Sequence, residues 1–137
     1  MIDHTAARQE LGRIVTATVQ DFAGVTVYPG GLDALAHFPA VIVGQPRWTA
    51  DAGPCMDTST WPVGVVVARP GGSDTYVQAQ LEGLWPIVLA GLTEAVRADQ
   101  TLGGVCRAAH IQRAEFGLFG IQGQDYPAQT IFTDLYG

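Results

Sequence analysis

WPVGVVVARPGGSDTYVQAQLEGLWPIVLAGLTEAVRADQTLGG, residues 61–104, decides the fold of this chain. Its first part, residues 61–68, is a strand. Trp61, Val63, Val65 and Val67 alternate onto one face, and Val66 and Ala68 make the other face apolar too. A strand apolar on both sides is expected to be covered on both sides, or on one side by protein and on the other by a partner. Pro70, Gly71 and Gly72 stop it, because proline cannot donate to a ladder and glycine permits turn dihedrals. Ser73 stands where a helix N-cap belongs, and Asp74 faces the positive end of the helix dipole. A long helix follows, to about Asp99. Val77, Leu81, Leu84 or Trp85, Val88, Leu92 and Ala95 or Val96 recur at spacings of three and four, which is one helical face. Pro86 deletes one backbone hydrogen bond and crowds the carbonyl of Glu82, so a kink is expected there. Gly103 and Gly104 end the element.

Working outward, residues 5–23 read as an amphipathic helix, with Ala7, Leu11, Ile14 or Val15, Thr18 and Phe22 on its buried stripe and Gly24 as its stop. Residues 25–28 form a short β-type run cut by Pro29, Gly30 and Gly31. Residues 32–37 suit one helical turn, and the β-branched run 40–43 suits a second strand. Residues 45–60, QPRWTADAGPCMDTST, have two prolines and no period. They read as a long functional loop or as a hidden hairpin arm. Beyond the central helix, residues 105–116 are a strand with neither face clearly apolar, as at a sheet edge or an interface. Residues 117–123 read as a glycine-broken turn, and residues 126–135 as a last strand with Ile131 and Leu135 inward. The expected fold is α+β: one domain spanning residues 1–137, with a mostly antiparallel four- to five-stranded sheet packed against two helices.

Composition narrows the function. With 137 residues and 47% hydrophobic content, the chain has enough apolar material for a real core. No run of about 18 apolar residues suggests a membrane span. The opening MIDHTAARQELG lacks the basic and apolar regions of a signal peptide, so a cytoplasmic site of assembly is expected. The net charge is −6 and all seven cations are arginines, which argues against nucleic-acid binding through a basic patch.

Chemistry-bearing patterns are sparse. His4, His37 and His110 are isolated, and no CxxC, HxxxH or HExxH spacing occurs. Cys55 and Cys106 read as small buried thiols. Cys106 and His110, four apart on a strand, would stand about 13 Å from each other, too far for a hydrogen-bonded pair. Asp51 and Asp57 share a loop without a third acidic ligand at calcium-loop spacing. The turn at residues 70–74 lacks the lysine of a P-loop and reads as a cap. Neither catalytic residues, nor a metal, nor a cofactor is therefore expected. What stands out is a surplus of aromatics: Trp48, Trp85, Phe116, Phe119 and Tyr126 lie in places that a single core does not require. They favour an oligomer. The candidate contact residues for a neighbouring subunit or partner are Trp48, Asp51, Asp57, Arg107, Arg113, Phe119 and Tyr126.

The order of these features resembles the tail-terminator, or tail-completion, proteins of long-tailed bacteriophages. The stretches that carry the resemblance are FPAVIVGQP at 38–46, WPVGVVVARPGG at 61–72 and LTEAVRADQTLGG at 92–104, followed by two strands and a terminal aromatic. The resemblance covers nearly the whole chain, and RADQTLGG is its most distinctive part. It implies a ring-forming subunit in a homohexamer. Such a ring caps the tail tube protein, ends tail polymerisation, and joins the head-tail connector or stopper protein at the tail-neck junction of the virion. DNA passes through its lumen without specific binding, and an acidic chain free of lysine suits that passage, because phosphate contacts would hold the DNA. The alternatives are another phage neck protein, of the head-completion or stopper kind, and a small cytosolic ligand-binding domain or enzyme, which would show a pocket with convergent polar groups.

Overall fold

The structure, a computed structural model, describes residues 2–22, 24–29, 37–50, 57–68, 74–121 and 123–137. The elements in chain order are α1 (His4–Val19), β1 (Thr26–Tyr28), β2 (Ala40–Val43), β3 (Arg47–Ala50), β4 (Asp57–Val66), α2 (Asp74–Ala98), β5 (Ala108–Ile121) and β6 (Gln124–Tyr136). This is the expected α+β fold, with one mostly antiparallel sheet and two helices. The sheet has six strands where four to five were expected. Five run in the order β1-β2-β4-β6-β5, and β3 pairs with β4 beside β2. Among the described residues only the β1–β2 pair is parallel.

The extra strand comes from residues 45–60, where the hairpin alternative holds. Arg47, Trp48, Thr49 and Ala50 pair with Thr60, Ser59, Thr58 and Asp57. Together β2 and β3 form one arm, broken at Gly44–Pro46, that follows β4 along a single edge. β4 therefore begins at Asp57, four residues before Trp61. The second revision concerns residues 117–121, read from their glycines as a turn. β5 runs straight through them to Ile121. Gly117 and Gly120 do not take left-handed dihedrals, whereas Gly123, at φ +79°, does, and the chain reverses there.

Both helices lie on one face of the sheet. Val41, Val43, Trp61, Val63, Val65, Ile131 and Leu135 meet Ala7, Leu11, Val15, Val77, Leu81, Val88 and Leu92 in the main core. Each fully buried side chain of this size contributes about 1.5–3 kcal/mol of hydrophobic stabilisation. The opposite face has its own smaller cluster: Ala40, Ile42, Val66, Ile121, Tyr126 and Ala128, flanked by Tyr28, Phe38 and Phe119. The central strands are thus covered on both sides, as the double-faced apolar pattern of 61–68 requires.

Each helix ends for a local reason. Asp3 caps α1, its carboxylate accepting from Thr5 N–H at 3.0 Å and Ala6 N–H at 3.2 Å. α2 continues across Pro86, which lies on its exposed side. After Ala98 the RADQTLGG motif folds around Asp99. Its carboxylate accepts from Thr101 Oγ1–H at 2.6 Å, Thr101 N–H at 3.0 Å and Gly103 N–H at 2.9 Å. The Thr101 hydroxyl first, then the two backbone donors, hold the Asp99 carboxyl below its ordinary value. Leu102 is turned inward at φ +47°, and Gly103 and Gly104 follow at +74° and +88°. The cap at Ser73, the turn at 69–73 and the helical turn at 32–36 lie outside the described residues.

Candidate functional site

Three places on the sheet gather the side chains singled out above. The first is the arm. Trp48 stays 47% exposed on the helix side of β3, yet its indole N–H donates to Asp57 Oδ2 at 2.8 Å. Asp57 is buried, and its backbone carbonyl accepts from Gly137 N–H at 2.9 Å. Arg107 donates its backbone N–H to Tyr136 O at 2.8 Å, so Asp57 and Arg107 flank the last two residues of the chain. Trp48, Asp57 and Arg107 thus belong to one end of the sheet. Asp51 and Cys55 lie outside the described residues.

The second is a groove of about 320 Å³ on the helix-free face, lined by Gln45, Arg47, Thr49, Thr60, Pro62, Gln112, Arg113 and Phe132. Its alternation follows from register. Arg47 opposes Thr60, Thr60 opposes Asp134, and Arg113 opposes Phe132, all on that face. Arg113 lies over the Phe132 ring at 4.1 Å from its centroid, a cation–π contact, while its Nε donates to Glu115 Oε2 at 3.2 Å and its Nη1 to Gln112 Oε1. Thr60 Oγ1–H donates to the buried Asp134 Oδ1 at 2.6 Å. Two guanidinium groups, two amides and two threonines give this groove a donor-rich lining on an otherwise acidic molecule. Only Arg113 of these was singled out from sequence. Arg47 and Gln112 carry no motif, Gln45 within FPAVIVGQP carries no chemical signal, and their convergence depends on strand pairing that residues 45–60 do not advertise.

The third place is the far end of the same face. Phe119 and Tyr126 are cross-strand partners there. Tyr126 is buried, tilted against Phe38 at 6.1 Å, with its hydroxyl donating to Gln124 Oε1 at 3.2 Å. Phe119 rests on Gly44 and Gly64, two positions where a Cβ would meet its ring. Both side chains serve the second cluster. The aromatic surplus that suggested an oligomer is therefore partly an intramolecular core. The large apolar side chains left exposed among the described residues are Trp48, Phe22, Tyr76, Phe116 and Leu118. Trp85 packs against the main core.

Sequence reading missed one further polar group. His4 Nε2 and Ser59 Oγ share a 3.0 Å hydrogen bond, with the His4 ring edge-on to Trp61. Ser59 is fully buried, so the pair ties α1 to β4 and offers no open nucleophile. Arg8 completes the clasp, donating to Pro29 O, Val43 O and Gln45 Oε1 and lying over the Trp61 ring at 5.2 Å. Cys106 precedes β5 and is buried; burial first, and Asp99 nearby second, push its thiol up. Among the described residues no three His, Cys, Asp or Glu side chains converge, and no helix is long and apolar enough to cross a membrane. Compared with protein-family models and with curated protein sequences, the chain finds no match to either.

Proposed function

We propose that the chain is a ring-forming structural subunit of a phage tail terminus, which caps the tail tube and meets the head connector. The observation that carries the reading is a single sheet whose outer strands, among the described residues, keep open edges, one of them formed by the β2–β3 arm. Among the described residues β3 is paired on one side only and carries the exposed Trp48, and β5 ends the strand order. A cyclic ring needs two different patches on each subunit, one meeting the other on the next copy. The arm with Trp48 is one patch, anchored by a large aromatic as contacts commonly are. The charged first half of β5, near Arg107 and Arg113, is the other. The final strand, β6, lies between β4 and β5 and presents no free edge.

The test is genetic and visual. Deleting the coding sequence from the phage that carries it should give overlong tails without heads, and a Trp48→Ala copy should restore normal tails poorly. Normal tails joined to heads in the deletion strain overturn the reading.

One observation favours a second reading. The donor-rich groove between Arg47 and Arg113 suits a small anionic ligand, as in a binding module. Saturable calorimetric binding of a phosphate or carboxylate metabolite that is abolished by Arg47→Ala would support it.

A further inference from the structure

Among the described residues β5, of 14 residues, ends the strand order as an edge strand, and its two halves are built differently. The first half carries the usual protections against stray pairing. It holds His110, Arg113 and Glu115, and its ladder is broken by a bulge between Ile111 and Arg113. The second half, Phe116-Gly117-Leu118-Phe119-Gly120-Ile121, carries no charge and pairs with β6 in unbroken register. Phe116 is 50% exposed and Leu118 71% exposed, both on the helix side of the sheet beyond the helices. Such an edge is a template for another strand.

The sequence of this edge is complementary to itself. In an antiparallel pair of two copies centred on Leu118, Phe116 lies opposite Gly120, Gly117 opposite Phe119, and Leu118 opposite Leu118. Each exposed Phe116 then faces a Gly120 on the same side of the sheet, and the two leucines meet at the axis, while the Phe119 rings stay on Gly44 and Gly64 of their own sheets. Aromatic side chains over edge glycines are a recognised stabilising match. The isolated chain gives Gly117 no such reason. Its dihedrals are not left-handed, and a Cβ there would meet nothing within 4 Å. Glycine inside a strand often marks the close approach of another backbone.

We infer that the free chain is a two-fold dimer, in which residues 116–120 of two copies pair as antiparallel strands about Leu118 and join their sheets edge to edge. The contact is isologous, the same patch used twice. It cannot by itself close a ring, so it does not rest on the ring reading.

The experiment is sedimentation equilibrium with site-directed cross-linking. The wild-type chain should sediment as a dimer. Leu118→Lys, at a position already exposed, should keep its circular dichroism spectrum but weaken dimerisation at least about tenfold, since two like charges would meet at the axis. In a background with Cys55→Ser and Cys106→Ala, Leu118→Cys should oxidise to a linked dimer, because directly opposed Cβ atoms lie within about 4.5–5.5 Å. Glu115→Cys, whose opposite residue is Ile121, should not. A wild-type chain that is monomeric at ~100 μM, a dimer untouched by Leu118→Lys, or equal cross-linking at the two positions overturns the proposal. A ring that assembles without Leu118→Cys cross-links does the same, while leaving the ring reading intact.

Discussion

Phe119 and Gly64 should show strong, signed coupling. Gly64 lies on β4 with no left-handed dihedral, so its backbone accepts alanine. The obstacle is the Phe119 ring. A Cβ at Gly64 would stand 2.6, 2.7 and 3.1 Å from three ring carbons, about 0.8 Å inside ordinary contact at the nearest. The same ring lies over Gly44, where an added Cβ would stand 2.9 Å from its Cζ, so the two glycines together make its seat. Gly64→Ala must therefore lift the ring from the sheet, an overpacking cost of about 1–3 kcal/mol. Phe119→Ala alone removes a half-buried ring. It should cost about 2 kcal/mol, half the usual 3–5 for a buried phenylalanine. With the ring gone, the three nearest contacts of that Cβ disappear, and Gly64→Ala should gain about 0.4–1 kcal/mol from a less flexible unfolded chain. The double variant should thus be more stable than Phe119→Ala, although Gly64→Ala destabilises the parent. Urea unfolding of the four proteins, followed by circular dichroism, measures the cycle. Additivity within about 0.5 kcal/mol would refute the packing described for this face.

Two glycines of α2 should respond oppositely to alanine. At Gly83 an alanine methyl would have nothing within 4 Å and should gain about 0.5–1 kcal/mol, whereas at Gly91 it would be driven into Thr18 of α1, with Thr18 Cβ at 2.8 Å, and should lose about 1–3 kcal/mol. Equal melting shifts for the two would contradict the helix contact. Pro86→Ala restores a helix hydrogen bond at an exposed site, so stability should rise by about 1–3 kcal/mol; a clear fall in melting temperature would show that α2 depends on the proline. Asp99 titrates below its ordinary value near 3.8 when folded, so its stabilising contribution is complete above that value and is lost as pH falls through the lower, folded one. The stability gap between the parent and Asp99→Asn should therefore narrow in acid, and a gap that widens between neutral pH and pH 3 would contradict the assignment.

The elements with a period were legible from the residues. The central helix and the last strand lie where apolar spacing put them, because each buries a face that the spacing reveals, and the 40–43 strand, buried on both faces, was legible from its β-branched run. β3 was only an alternative. All four of its residues are exposed, so it is held by pairing with β4 and carries no hydrophobic period to read. β5 misled twice. Its bulge moves the inward set from Ala109 and Ile111 to Ala114, so neither simple alternation gives a core face. Gly117 and Gly120 then imitate a turn in a strand that continues. The candidate residues divide on the same physics. Phe119 and Tyr126, read from sequence as surplus to one core, belong to a second cluster on the helix-free face.

The most distinctive motif, RADQTLGG, is the clearest case of a signal that looks functional and acts locally. Helix α2 must end, turn back and deliver β5 to the sheet within a few residues. Left-handed dihedrals at three successive positions accomplish this, and only two of the three are glycine. Leu102 takes the third, a conformation that costs an L-residue roughly 1–2 kcal/mol. Its side chain is buried in the main core, and burial of a leucine returns about as much. Asp99 and Thr101 bind the freed N–H groups, with Thr101 Oγ1 accepting from Gly104 N–H at 3.2 Å and Thr101 O from Cys106 N–H at 3.2 Å. Every residue of the turn is thus accounted for within one subunit. Contacts with other molecules must therefore be sought where the fold leaves groups without such an account: the half-exposed Trp48, the arginine-lined groove, and the uncharged half of β5.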